Sequence, residues 1–122
     1  MSWKPEGYTS AAPYLMVRDA EAMLALLEAV FGAARLRVVP RPGGGIMHAE
    51  ARIDDTVVMM GEAPKGPESH VHVYVPDVDA TWTRALAAGC EIVQAPERKT
   101  PDDDRRGGFR DPNGVTWWIA SA

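Results

Sequence analysis

The sequence predicts an α+β fold made of two βαβββ modules, and three observations support this prediction. A pattern of residues repeats at an offset of about 58 positions, each copy contains one amphipathic helical segment, and each helical segment is followed by three strand-like runs. A chain of 122 residues has the length of one ordinary domain. We therefore expect a single domain over 1–122, with module 1 at about 10–61, a linker at 62–67 and module 2 at about 68–122.

The repeat is clearest where a short strand leads into a helix. Asp19 and Asp77 occupy the same place in the two copies, and each is followed by a second acidic residue. An aspartate at this point caps a helix because its carboxylate accepts hydrogen bonds from the free amides of the first turn. Glycine is favoured where a helix ends in left-handed backbone, so the helices are predicted to end near Gly32 and Gly89.

Apolar residues recur at helical spacing between these signals, and strand-like runs follow. The helical stripes are Met23, Leu24, Leu27, Val30 and Phe31 in the first copy, and Val78, Trp82, Ala85 and Leu86 in the second. The predicted strands after the helices are 35–40, 46–53 and 56–61, then 91–95, about 105–110 and 115–120. Turn residues separate them at 42–45, 54–55, 101–104 and 111–114.

Side chains alternate between the two faces of a strand, and two strands sort cleanly into an apolar and a polar face. The apolar sets are Met47, Ala49, Ala51 and Ile53, and Val71, Val73 and Val75. The polar sets are His48, Glu50 and Arg52, and His70, His72 and Tyr74. We expect a curved mixed sheet with the helices on its outer, apolar face and a solvated concavity on the polar face. Alternatively, the polar face is a plain solvated or subunit-facing surface.

The composition narrows the classes of partner. A formal net charge of −4 and a pI near 5.3 argue against binding to nucleic acid. The first residues show no signal-peptide pattern, and no apolar run reaches the roughly 20 residues that span a bilayer. We therefore expect a cytoplasmic protein with no membrane partner. The single cysteine, Cys90, cannot form an internal disulfide and is expected to be an inert, half-buried thiol.

The motifs of the chain resemble those of the vicinal oxygen chelate superfamily, in its branch of short glyoxalase-like and bleomycin-resistance-like proteins. The resemblance covers nearly the whole chain. It rests on the paired modules, on the strand that ends Val-x-Asp before each helix, and on the segments Phe31-Gly32-Ala33, Ile46-Met47-His48-Ala49-Glu50 and Arg110-Asp111-Pro112-Asn113-Gly114. It implies a homodimer whose cavities bind a small molecule.

The resemblance also locates the four positions that hold a divalent metal ion in the metal-dependent members. They fall at Ala12, Met59, His70 and Trp118, and only His70 is a ligand type. One imidazole is too few for Zn²⁺, Ni²⁺ or Fe²⁺, while Mg²⁺ and Mn²⁺ prefer oxygen ligands. A rearranged set of His48, Glu50, His70 and His72 is the alternative. We therefore expect neither a metal nor another cofactor.

These observations and the resemblance predict a metal-independent protein that binds a small molecule and sequesters an aromatic or drug-like compound, as antibiotic-resistance proteins of this type do. Met59 and Trp118 would offer it an apolar, polarisable surface, although both could equally be core packing. The candidate ligand-binding residues are Tyr14, His48, Glu50, Met59, His70, His72, Tyr74 and Trp118. The alternative is an enzyme, either a glyoxalase-like lyase or isomerase that uses His48 or His70 with Glu50 as acid and base, or a dioxygenase-related enzyme with a non-standard site. A third hypothesis, an interaction module with a filled cavity, has no positive support.

Overall fold

The computed structural model describes residues 3–65 and 68–122. The chain divides into two compact units, Met1–Gly66 and Pro67–Ala122, and each contains one helix and four strands. The first unit consists of β1 (Tyr14–Val17), α1 (Ala20–Phe31), β2 (Ala34–Pro40), β3 (Ile46–Ile53) and β4 (Thr56–Glu62). The second consists of β5 (Ser69–Tyr74), α2 (Val78–Ala87), β6 (Glu91–Glu97), β7 (Arg105–Arg110) and β8 (Val115–Ser121). The element order confirms the duplicated βαβββ module.

The two units share one sheet topology. The strand orders are β1-β4-β3-β2 and β5-β8-β7-β6, so the first strand of each module pairs with its last strand. That pairing is parallel, and the other pairings are antiparallel. The predicted mixed sheet is therefore present as two four-stranded sheets. In the segment predicted as a linker, Glu62 belongs to β4, while residues 66 and 67 lie outside the described residues.

Both helices begin at the predicted aspartates. Asp19 accepts a hydrogen bond from the Ala22 amide at 3.0 Å, and Asp77 accepts one from the Ala80 amide at 3.1 Å. Helix α1 ends at Gly32, whose φ of +66° is the left-handed conformation that glycine tolerates. The two modules therefore start their helices with the same interaction.

The face of each sheet under its helix forms the core. In the first unit, Ala49, Ala51 and Ile53 are buried as predicted, but Met47 is 48% exposed. Met47 lies at the start of β3, beside the turn at 41–45, so it is at the end of the hairpin. In the second unit the largest buried side chains are Trp117, Phe109 and Ile119.

The edge strands β2 and β6 carry the same irregularity. Arg35 pairs with Ala51 and Val38 pairs with Ala49, so that two residues of β2 lie opposite the single residue Glu50. In β6, Ile92 pairs with Phe109 and Gln94 with Gly108, which leaves Val93 as an extra residue. An extra residue of this kind is a β-bulge, which bends the strand and turns the neighbouring side chains. The bulge is thus a shared feature of the two modules.

The turn before β8 is organised by a buried carboxylate. Asp111 is 4% exposed and accepts hydrogen bonds from the amides of Asn113 and Val115, at 2.8 and 3.0 Å, and from the Trp117 indole at 2.7 Å. Burial raises the pKa of Asp111, and the hydrogen bonds from Trp117 and the backbone oppose this shift. The carboxylate joins the turn to the largest buried side chain of the unit.

Cys90 is buried, and burial raises the pKa of its thiol to about 11. The thiol is therefore protonated at neutral pH, which agrees with the inert role expected for it. Within the described ranges, no helix is long and apolar enough to cross a membrane.

We expect Asp111→Ala to lower the free energy of unfolding by about 3 kcal/mol, because it leaves the Trp117 indole and two backbone amides without their buried acceptor. Asp102→Ala is the control, since Asp102 is exposed in the turn between β6 and β7; its effect should stay within about 0.5 kcal/mol. Urea denaturation of both variants measures the difference. Equal stabilities would show that the Asp111 hydrogen bonds are replaced by water.

Candidate functional site

The first unit contains a buried carboxylate on the face of the sheet opposite α1. Glu50, in the middle of β3, is only 4% exposed. The Tyr8 hydroxyl donates to Glu50 Oε1 at 2.5 Å, and Nε2 of His48 lies 2.7 Å from Glu50 Oε2. Both oxygens therefore have a partner, as a buried carboxylate requires.

Burial and the hydrogen-bond partners determine the protonation states of Glu50 and Tyr8. Burial acts to raise the pKa of Glu50, but the hydrogen bonds from His48 and Tyr8, together with the nearby charges of His48 and Arg37, lower the pKa below its usual value. The hydrogen bond to Glu50 in turn raises the pKa of Tyr8. At neutral pH Glu50 is therefore a carboxylate and Tyr8 a neutral phenol.

The hydrogen-bonded chain extends to the first strand. The Tyr14 hydroxyl lies 3.2 Å from Nδ1 of His48, and the two ring centroids are 5.6 Å apart. Tyr14 is half exposed. Four titratable groups therefore lie in one line, in the order Tyr8, Glu50, His48 and Tyr14, which is a geometry that can transfer a proton.

A cavity of about 380 Å³ lies beside Glu50. It is large enough for a small organic molecule. The segment from Trp3 to Ser10 forms one wall, and Arg37, Glu50 and Met59 of the sheet contribute to the rest. Met59 is paired with both Glu50 and Tyr14 in the strand register, so an apolar side chain adjoins the carboxylate. The cavity thus combines apolar and charged groups.

The other predicted site residues form a polar cluster in the second unit. Arg106 Nε donates to His72 at 3.2 Å, and Arg106 lies 3.4 Å from both Asp103 and Asp104. The Tyr74 hydroxyl donates to Asp104 at 2.8 Å, and this hydrogen bond raises the pKa of Tyr74. His72 and Tyr74 therefore belong to an exposed network of charged side chains.

Trp118 lies flat on the same sheet. Its indole donates to Nδ1 of His70 at 3.2 Å, and the rings are nearly parallel with centroids 6.5 Å apart. A Cβ on Gly108 would come within 2.6 Å of the indole, so the ring rests on the glycine backbone. Trp118 is partly exposed, and it presents an aromatic surface rather than filling the core.

The strand alternation thus brings the predicted residues together in two groups, Tyr14, His48, Glu50 and Met59 in the first unit, and His70, His72, Tyr74 and Trp118 in the second. The sequence reasoning missed Tyr8, the wall from Trp3 to Ser10, and Arg37. It placed Glu50 on the polar face of a solvated concavity, and it did not predict that Tyr8 and His48 hold this carboxylate in a buried position. Tyr8 carried no periodic signal, because it precedes the first strand.

The side chains at the four positions that hold a metal ion in metal-dependent members of the family that this chain resembles do not suit a metal ion. Ala12, Met59 and Trp118 have no carboxylate, imidazole or thiolate to offer, and His70 is hydrogen-bonded to Trp118. Nor do the residues described in either unit bring three His, Cys, Asp or Glu side chains together as a group that could hold a metal. Three of these four positions therefore carry apolar side chains, and one imidazole remains.

The sequence profile of the Glyoxalase/Bleomycin resistance protein/Dioxygenase superfamily matches residues 8–119. The chain belongs to this superfamily. It is 36% identical over 120 residues to uncharacterized proteins of Mycobacterium bovis and Mycobacterium tuberculosis; the match covers 87% of this chain and 78% and 70% of theirs.

Solved structures show the same fold. TioX from Micromonospora sp. ML1 matches with a TM-score of 0.78 and 28% identity, over 92% of this chain and 97% of TioX. The fosfomycin resistance protein FosX from Listeria monocytogenes, in complex with Mn(II) and a sulfate ion, matches with a TM-score of 0.75 over 93% of this chain and 90% of FosX. At 16% identity, the likeness to FosX shows the fold alone.

The hydrogen bonds to Glu50 predict a pH dependence of stability. The pKa of Glu50 is lower in the folded chain than in the unfolded one, so the stability that this carboxylate contributes is present above its ordinary pKa of 4.5 and is lost as the pH falls through the folded pKa. Between about pH 5 and pH 3 the free energy of unfolding should fall more steeply for the wild type than for Glu50→Gln. Urea denaturation across this range measures it. Parallel curves would contradict the assigned ionisation.

Proposed function

We propose that the protein is a metal-independent small-molecule-binding protein of the glyoxalase and bleomycin-resistance type, which sequesters an aromatic or drug-like compound. The observation that carries this proposal is the cavity of about 380 Å³ beside Glu50. Its volume lies in the range of small-molecule sites, and its lining combines apolar residues with a few polar groups.

The side chains that line the cavity are better suited to binding an apolar molecule than to holding a metal ion. Met59 occupies a position where a metal-dependent relative would have a ligand, and its flexible thioether adapts to the shape of an apolar molecule. Trp3 is 85% exposed, so its indole has little contact with the rest of the chain and is available to a ligand. Binding to such a surface needs no metal ion.

The second unit offers a further candidate surface. The Trp118 ring, which lies on Gly108 and beside His70, has the flat and partly exposed form of a stacking surface. We include His70, His72, Tyr74 and Trp118 among the ligand-binding residues on this ground. The superfamily includes bleomycin resistance proteins, which is in keeping with a role in antibiotic resistance. We further propose that the protein is a single-domain cytoplasmic homodimer.

A second function is favoured by the line of hydrogen bonds from Tyr8 through Glu50 and His48 to Tyr14. Such a line could supply acid and base groups to a glyoxalase-like lyase or isomerase. The isomerisation of the adduct of methylglyoxal and glutathione, followed in EDTA by absorbance, separates the two functions. The binding proposal expects no turnover, whereas turnover that disappears in Glu50→Gln would establish the enzyme.

We expect at least one compound from a panel of bleomycin and planar aromatic antibiotics to bind with a Kd near or below about 10 µM. Met59→Trp should weaken that binding about tenfold or more, because the larger side chain fills the cavity. Isothermal titration calorimetry in EDTA measures both.

Met47→Trp is the matched control, because Met47 is also a methionine of the same sheet but does not line the cavity. It should leave the Kd unchanged, and circular dichroism should show both variants folded. The proposal fails if no compound binds the wild type, or if the two variants bind equally well.

A further inference from the structure

The bulge in β2 changes the side of the sheet on which an arginine lies. Arg35 and Arg37 are two residues apart, and in a regular strand they would share a face. Arg35 is on the helix side, where it pairs with Glu21 and Glu28 of α1 at 2.8 and 2.9 Å. Arg37 instead lines the cavity. The extra residue opposite Glu50 therefore directs a cation into the candidate site.

Arg37 places a positive charge at the cavity. The hydrogen bond to Glu50 raises the pKa of Tyr8, and the positive charge of Arg37 partly opposes this rise; the same charge adds to the lowering of the pKa of Glu50 by His48 and Tyr8, so Arg37 lies within electrostatic reach of both groups. Within residues 3–65 and 68–122, however, its guanidinium forms no hydrogen bond and no ion pair. Arg37 is exposed, so its five N–H donors are open to a partner from solution.

Two other charged side chains, Lys4 and Glu50, line the cavity. The Lys4 ammonium lies 5.4 Å from the centre of the Trp3 ring and 3.3 Å from the Ser10 hydroxyl. Among the described residues that line the cavity, Glu50 is the one carboxylate, and its two oxygens are hydrogen-bonded by Tyr8 and His48. Two cations and one already bonded anion therefore face the space that a ligand would occupy.

We propose that the ligand of this cavity is an anionic aromatic compound, whose carboxylate, sulfonate or phosphate group binds the Arg37 guanidinium while its ring contacts Trp3 and Met59. This inference rests on the proposed binding function and specifies its ligand class. A planar guanidinium binds such groups through two parallel hydrogen bonds, which are stronger than bonds between neutral groups. Arg37 is then the residue that determines specificity for a negative charge.

The test uses two probes of the same shape, 2-naphthoate and the uncharged 2-naphthamide. The wild type should bind 2-naphthoate about tenfold more tightly than 2-naphthamide, a difference expected for one charge-assisted hydrogen-bonded pair. Arg37→Gln should weaken the binding of 2-naphthoate about tenfold and so remove that preference. Arg37→Lys, which keeps the charge, should keep part of it. Calorimetric titrations at low salt measure each Kd.

Arg35→Gln is the control, because it changes the net charge by the same amount on the same strand but on the helix side. Its exposed ion pairs contribute little to stability, and it should retain the preference for 2-naphthoate. If the wild type binds both probes equally, or if Arg37→Gln and Arg35→Gln behave alike, the anionic ligand class is wrong while the binding function stands. If neither probe binds, the anionic ligand class is wrong, and the titrations with the antibiotic panel decide the binding function separately.

Discussion

The hydrogen bond from Tyr8 to Glu50 ties the segment before β1 to the middle of β3, across 42 positions of sequence. The candidate site of the first unit depends on it. Without this bond the wall from Trp3 to Ser10 would have no buried polar anchor at Tyr8, and Glu50 would lose one of the two donors that allow a carboxylate to be buried. The shape of the cavity and the ionisation of its carboxylate therefore have one common cause.

The two modules carry different side chains at equivalent positions of their polar faces. In the first unit Glu50 pairs with Met59, and in the second Gly108 pairs with Trp118 at the corresponding point of the sheet. The first pair places a carboxylate beside a flexible apolar side chain. The second removes a side chain, so that an indole can lie flat on the backbone. Duplication has thus preserved the sheet and the bulge of its edge strand, while the polar faces have diverged.

Features that depend only on neighbouring residues could be predicted from the sequence. Asp19 and Asp77 predicted the helix starts because capping involves only neighbouring residues, and alternation placed His48 and Glu50 together on one face. The position of Arg37 could not be predicted in this way, since alternation assigns it to the face of Arg35. A bulge depends on how two strands pair, and the burial of Glu50 depends on a partner far away in sequence. These effects have no local signature.

We propose that this member of the superfamily binds its ligand through apolar and charged side chains, without a metal ion. Equilibrium titration of the purified protein with Mn²⁺, Ni²⁺, Zn²⁺ and, under anaerobic conditions, Fe²⁺ tests this claim most directly. Ala12, Met59 and Trp118 supply no donors at the family's ligand positions, so we expect no ion to bind stoichiometrically with micromolar affinity. If the protein binds one equivalent of any of these ions with such affinity, and a chelator removes it, metal-independent binding is contradicted.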